Sequence, residues 1–284
     1  MSATISFTKM SGSGNDFILV DNRQGVVPPE LASEFARTVC RRKTSVGADG
    51  LILIEKDGEV DFSWAFFNAD GSTAEMCGNG ARCAARFAHL LGICGSRLAF
   101  RTVAGVIRGE VLDRRVKVQL TAPRHLRLDE LLELDGGRVA VQAVNTGVPH
   151  AVFLLDGARE LEDQDVVGQG RRVRFHDHFA PAGTNVNFAA VVGPRSLAVR
   201  TYERGVEDET LACGTGATAA ALVAAAKGLV EPPVTIHTKG GEILSIHFRA
   251  GSGLPHEVYL EGEVTVVYQG RLWREALEPL ALPG

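Results

Sequence analysis

Two short stretches of this sequence carry most of the chemistry it can do. Cys77-Gly-Asn-Gly-Ala and Cys213-Gly-Thr-Gly-Ala match at an offset of 136 residues. Each reads as a cysteine standing at the start of a helix. Unpaired amides at a helix N-terminus stabilise a thiolate and draw its pKa from ~8.5 toward neutrality. The glycines leave those amides open to a carboxylate. Two such thiols on opposite sides of one carbon would suit a two-base racemisation: one removes the α-proton while its partner protonates the other face. The plain alternative is a pair of small buried hydrophobes, as most cysteines outside disulfides are. Repetition of the whole motif speaks against that.

The remaining cysteines read differently. Cys83 and Cys94 could join His89 around a metal, but their spacing scatters them about a helix, unlike the tight Cys-x2–4-Cys pairs of zinc sites. Cys40, Cys83 and Cys94 are expected in the core, with no metal. Gly214-Thr-Gly216-Ala-Thr-Ala fits a permissive dinucleotide fingerprint, but the polar stretch 207–210 precedes it in place of a strand. Neither a Gly-x4-Gly-Lys-Ser/Thr loop nor a Gly-x-Ser-x-Gly elbow occurs. No cofactor is expected.

The elements that must position the two cysteines are legible as patterns. Apolar and alternating runs read as strands at Phe17–Val20, Leu51–Ile54, Val60–Phe67, Val106–Leu112, Val116–Leu120, Ala151–Leu155, Val186–Val192, Leu197–Tyr202, Ile243–Phe248 and Val264–Tyr268. Helices are predicted over Glu30–Arg42, Gly78–Leu91 and Gly214–Ala226. The last carries no charge on any side, so protein must surround it. Both cysteine-led helices stop at a glycine, Gly92 and Gly228. Gly12 and Asp21 also pair with Gly147 and Asp156 at an offset of 135, which implies a duplicated half. The stretch Thr121–Arg138, with Pro123, a charged run and Gly136-Gly137, reads as the linker.

Composition limits the partners. The chain has 284 residues, 34 acidic and 30 basic, for a formal charge of −4. That length suits two domains, and that balance gives no electrostatic reason for nucleic acid or an anionic membrane. Hydrophobic residues make up 45%, ample for a core. The 32 glycines exceed the usual ~7% and point to tight turns and ligand-cradling loops. The longest apolar run, Ala217–Ala226, is far short of the ~20 residues a bilayer requires. No signal peptide is read, and five cysteines are too few for a disulfide scaffold. A cytoplasmic location is expected.

Seven motifs, the two cysteine stretches among them, stand in a recognisable order: Met10-Ser-Gly-Ser-Gly-Asn-Asp-Phe17, Gly47-Ala-Asp-Gly50, Phe67-Asn-Ala-Asp-Gly-Ser72, Cys77-Gly-Asn-Gly-Ala-Arg82, Pro149-His150, Tyr202-Glu-Arg-Gly205 and Ala212-Cys-Gly-Thr-Gly216. From about residue 7 to 270 the chain resembles the diaminopimelate epimerases. The resemblance implies an α/β (α+β) fold of two pseudo-symmetric domains. Each would be a curled, mostly antiparallel sheet around a central apolar helix, with substrate in the cleft between. The domains would be 1–122, joined by a tail 271–284, and 123–270. It implies a homodimeric enzyme, independent of pyridoxal phosphate, that interconverts LL- and meso-diaminopimelate in lysine and peptidoglycan-precursor synthesis. Cys77 and Cys213 resemble the acid/base pair, and Gly78, Asn79, Gly214 and Thr215 the cradles for the reacting carboxylate. His150 and Glu203 resemble the groups that tune the thiols. Asn15, Asn68, Asn185, Glu203 and Arg204 resemble substrate-holding side chains, Arg204 being suited to a bidentate grip on the distal carboxylate. Tyr268 falls where the family has a dimer-contact tyrosine.

Two positions depart from the family. Many members have glutamine where Gly50 stands and asparagine where Val148 stands. Both leave the substrate more open than the reaction. The competing readings are another cofactor-independent racemase of this fold, a cysteine hydrolase using Cys77 with His150, and a non-catalytic amino-acid-binding protein.

Overall fold

Among the described residues the β-branched and aromatic runs form sixteen strands, and the small-residue runs behind the two cysteines form helices. We describe them from a computed structural model covering residues 4–73, 76–134, 137–249, 251 and 253–277. The chain divides into two compact units, residues 1–118 with 263–284, and residues 119–262.

Unit 1 contains β1 (Ile5–Gly12), β2 (Asn15–Asp21), α1 (Pro29–Val39), β3 (Gly50–Glu55), β4 (Phe62–Asn68), α2 (Gly78–Leu90), β5 (Arg97–Thr102), β6 (Gly105–Leu112) and β7 (Arg115–Gln119). Its strands lie side by side in chain order. The later part of a long last strand, β16 (Val258–Leu272), pairs with β1, where Lys9 faces Tyr268. The Val264 N–H donates to Arg114 O at the head of β7, so the sheet curls back on itself. Two neighbours run parallel, β2 with β3 and β4 with β5. A parallel neighbour requires a crossover. The first crossover contains α1, which packs on β3 and β4 over Phe35, Ala36 and Val39. The second contains α2, which touches β1, β2, β3 and β6 and is therefore enclosed by the sheet.

Unit 2 repeats the plan. It contains β8 (Arg124–Leu134), β9 (Gly137–Asn145), β10 (Pro149–Leu155), α3 (Ala158–Asp163), α4 (Val166–Arg174), β11 (Asn185–Gly193), β12 (Ser196–Glu203), β13 (Asp208–Thr210), α5 (Gly214–Ala226), β14 (Val234–Thr238) and β15 (Ile243–Phe248). The parallel pairs recur as β10 with β11 and β12 with β14, and the unit's other pairs among the described residues are antiparallel. The crossover between β10 and β11 carries α3 and α4; the one between β12 and β14 carries α5 and, at the polar stretch expected to lack a strand, the short β13, which pairs with β12. Uncharged α5 touches β9, β10, β11, β12, β14 and β15, the enclosure its composition requires. Both enclosed helices end alike. Gly92 and Gly228 have φ of 70° and 71°, and the N–H after each donates back to Ala88 O and Ala224 O.

The predicted linker is structured. Residues 124–134 are β8 and those from 137 open β9; positions 135 and 136 lie outside the described residues. The composition misleads because β8 is an edge strand with only Leu132 buried. Charges along such a strand discourage pairing with other chains. His125 and Asp129, both at positive φ, accompany two register shifts against β9. The division between the units falls at 118/119 and 262/263, because β7 ends unit 1 and β16 runs through both. Of the tail 271–284, residues 278–284 lie outside the described residues. Among the described residues no helix is long and apolar enough to cross a membrane.

Cys40, at the C-terminus of α1, is buried, and that burial pushes its thiol up to about 12. An unfolded thiol ionises near 9, so between pH 9 and 12 the unfolded chain gives up a proton that the folded chain keeps. This contribution is complete below pH 9 and is lost as pH rises toward 12, at about 1.4 kcal/mol per pH unit. Urea unfolding of a Cys40→Ala variant should therefore show a flatter fall in stability above pH 9 than the parent. Equal slopes would rule this out.

Candidate active site

Cys77 is the N-cap of α2. Its backbone is extended (φ −143°, ψ 116°), and Sγ accepts the Gly80 N–H at 3.4 Å. A sulfur in the position usually held by a serine or aspartate oxygen faces the positive end of the helix. Behind it runs a chain of directed hydrogen bonds. Buried Arg82 donates to Asn79 Oδ1 (3.0 Å), Asn79 to Asn15 Oδ1 (2.7 Å), and Asn15 to Asp49 Oδ2 (3.1 Å). Arg82 also donates to Ser13 Oγ, and to Gly78 O at 3.5 Å. Beyond Asp49, Arg42 donates to both Asp49 and Asp16. Burial pushes the Asp16 carboxyl up, but hydrogen bonds from Arg42 and Lys9 outweigh it and hold the group at about 2.

Asn68 ends β4 and donates to Ser72 Oγ at 2.9 Å, so its amide organises the turn toward α2. Gly50 faces Asn68 across the sheet. A Cβ there would lie 2.7 Å from Phe66 Cε2 and 2.8 Å from Phe67 O, so a larger residue fits only if these neighbours shift. The ring occupies the space a side chain would need. A Cβ on Gly12 would lie 3.2 Å from Asn79 O and 3.3 Å from Cys83 Sγ, a close approach but looser than that at Gly50.

Unit 2 reproduces the backbone and changes the charges. Cys213 caps α5 (φ −124°, ψ 109°), Sγ accepts the Gly216 N–H at 3.4 Å, and Thr215 Oγ1 lies 3.5 Å away. Burial first, and the negative charge of Glu203 second, push this thiol up to about 12 against the hydrogen bonds of Thr215 and Gly216. Burial also raises Glu203 itself, at the end of β12. At neutral pH Cys213 therefore holds its proton. Where unit 1 buries Arg82, the matching position is Thr218, whose hydroxyl donates to Gly214 O at 2.8 Å.

Around α5, Thr146 Oγ1 donates to Thr215 O at 3.0 Å, fixing the turn that carries Val148. Asn185 donates to Pro149 O (3.1 Å) and accepts the Arg204 N–H (2.9 Å), tying the start of β10 to the end of β12. The Arg204 guanidinium donates to Ala182 O at 3.1 Å. His150 is buried, and burial first, with the nearby positive charge of Arg204, lowers it to about 3. Its Nδ1 meets Asn187 at 3.1 Å. His150 is also among the residues around a cavity of about 340 Å³, with His125, Arg127, Asn145, Phe179 and Thr184. Tyr268 is exposed on β16, with its ring edge-on to Phe7 at 5.9 Å.

The structure thus joins Asn15 with Asn79 in unit 1, and Cys213, Thr215 and Glu203 in unit 2. His150 is bonded to Asn187, a residue the sequence reading passed over. The available signal was its spacing: Asn185 and Asn187 alternate onto one face of an otherwise apolar strand.

Solved structures of the same architecture include a phenazine biosynthesis protein from Bacillus anthracis, with TM-score 0.72 and 13% identity over 95% of this chain and 99% of that one. Another is a hydroxyproline epimerase from Agrobacterium vitis, with TM-score 0.64 and 14% identity over 96% and 94%. At these identities they define the fold alone: two units, each a curled sheet with a helix inside. The chain belongs to the diaminopimelate epimerase family, whose sequence model matches residues 7–126 and 142–267. Diaminopimelate epimerase from Aquifex aeolicus is 49% identical over 96% of this chain and all of its own length, and that from Archaeoglobus fulgidus is 41% identical over 94% and 96%. The chain is accordingly an isomerase of the epimerase class.

Proposed function

We propose that this enzyme interconverts LL- and meso-diaminopimelate by a two-base mechanism, with Cys77 and Cys213 serving opposite faces of one α-carbon. The observation that carries the reading is the repeated cap. Both thiols stand on the N-terminus of an enclosed helix, in the same backbone conformation and with the same amide donor position. Cys213, kept protonated beside Glu203, suits the proton-donating partner, and Cys77 removes the α-proton. In the reverse direction the roles exchange. First-turn amides at Gly78, Asn79, Gly214 and Thr215 stabilise the charge that develops on the reacting carboxylate. Asn15, Asn68, Asn185, Glu203 and Arg204 hold the remaining polar groups, and His150 contributes beside them. The chemistry requires neither pyridoxal phosphate nor a metal. The same reading places the enzyme in the cytoplasm, in lysine synthesis, as a homodimer with Tyr268 at the contact.

Incubation with LL-diaminopimelate in D2O tests it. Deuterium should enter the α-carbon as the meso isomer forms, at a rate unchanged by exhaustive chelation. Exchange with no meso product, or activity that one added metal restores after chelation, would overturn the mechanism.

A further inference from the structure

Asn187 sits fully buried near the start of β11, where an amide side chain must be satisfied or costs stability. Its surroundings determine its orientation. One edge lies 3.0 Å from Ala151 O, a backbone carbonyl that can only accept, so that edge is the nitrogen. The other edge is then the oxygen, and it accepts from Thr201 Oγ1 at 3.0 Å. The second hydrogen of the amide nitrogen points to His150 Nδ1 at 3.1 Å. A ring nitrogen that accepts a hydrogen bond carries no hydrogen of its own, and a neutral imidazole has one to place. It is on Nε2. That atom is buried and has no hydrogen-bond partner among the described residues. The same amide also rests on the first turn of α5: its oxygen lies 2.2 Å from where a Cβ on Gly216 would be.

We infer that Asn187 is a positioning residue, which by donating to Nδ1 fixes His150 as the neutral Nε2–H tautomer, so that His150 meets the substrate as a hydrogen-bond donor and not as a base. The tautomer follows from the hydrogen-bond network alone; the role toward substrate rests on the reading under Proposed function. An Nδ1 already occupied and an Nε2 already protonated leave no lone pair to accept a proton. A thiol hydrolase would need that lone pair, so this arrangement favours the epimerase.

The test is a two-bond ¹H–¹⁵N correlation spectrum of the full-length, substrate-free enzyme labelled with ¹⁵N-histidine, with His150 assigned by its loss in His150→Gln. The expected pattern has Nε2 protonated and Nδ1 bare. In Asn187→Asp the new carboxylate can only accept, so the proton should move to Nδ1 or both nitrogens should be protonated. Epimerisation should fall by about 10²-fold, the scale of a misplaced active-site group, while Asn185→Asp leaves the tautomer pattern unchanged. Should the aspartate variant fail to fold, the wild-type spectrum together with Asn187→Ala, expected to give mixed tautomers, decides the matter. A bare Nε2 in the wild type, or a pattern indifferent to both substitutions, overturns the inference. Full activity in a variant whose tautomer has changed overturns the positioning role. A protein with the expected spectrum and no action on diaminopimelate at all would instead count against the proposed substrate.

Discussion

Replacing either Cys77 or Cys213 by serine should all but abolish epimerisation of diaminopimelate. Serine keeps the size of the side chain and can accept the same amide hydrogen bond, but its hydroxyl is a far weaker acid. Each thiol is an acid in one direction and a base in the other, so each substitution removes proton transfers worth ~10²–10⁴ apiece. The surviving thiol still has its own face. Each variant should retain elimination of HX from a halogenated substrate analogue of one configuration, because elimination requires a base on one side only. The two variants should prefer opposite stereoisomers of the analogue. Near wild-type racemisation by Cys213→Ser would sink the two-base reading.

The second large effect separates two glycines that the sequence presents as equivalents. Gly80 and Gly216 occupy the same place in the two cysteine motifs. A Cβ on Gly80 would meet Ile52 Cδ1 at 3.3 Å, a contact a small rotation relieves. A Cβ on Gly216 would fall 2.2 Å from Asn187 Oδ1 and 3.2 Å from Cys213 Sγ. Asn187 cannot retreat without breaking its bonds to Ala151, Thr201 and His150. We expect Gly216→Ala to cost about 1–3 kcal/mol as an overpacked core site and to lower kcat about 10²-fold. Gly80→Ala should cost well under half as much of either. Urea unfolding and steady-state kinetics on both variants check this, and equal effects would refute it.

The sequence made the centres of the two halves legible and their rims obscure. A cysteine before Gly-x-Gly is a local signal, and its repetition at one offset placed both enclosed helices and the stops at Gly92 and Gly228. Uncharged α5 could only be internal. Strand β8 was unreadable because an edge strand has little to bury, so its charges resemble those of a linker. Arg82 shows the opposite problem. On a helix with Arg86 and His89 it looks like part of a polar stripe, yet its guanidinium is buried among Ser13, Asn79 and Gly78. Asn79 and Gly78 are one turn away, but Ser13 comes from near the start of the sequence, and no periodicity reports it. Asn68 resembles a substrate ligand by its motif, and its place beside Asp and Gly also suits the local turn it forms by donating to Ser72.

The long strand β16 also bears on the order in which the protein can be made. Strand β1 pairs with β2 on one side and with the far end of β16 on the other, Ile5 against Leu272. On the ribosome β2 follows within a few residues, but β16 arrives only after the whole of unit 2 has been synthesised. The half that emerges first is therefore completed last. Until then β1 has an open edge, with Phe7 and Met10 beside it, through the translation of some 250 residues. Unpaired edges of this kind invite pairing with other chains. The exposure to aggregation in this fold thus lies at its beginning, and a chain truncated before β16 should depend on chaperones even though every residue of its first helix-and-cysteine motif is present.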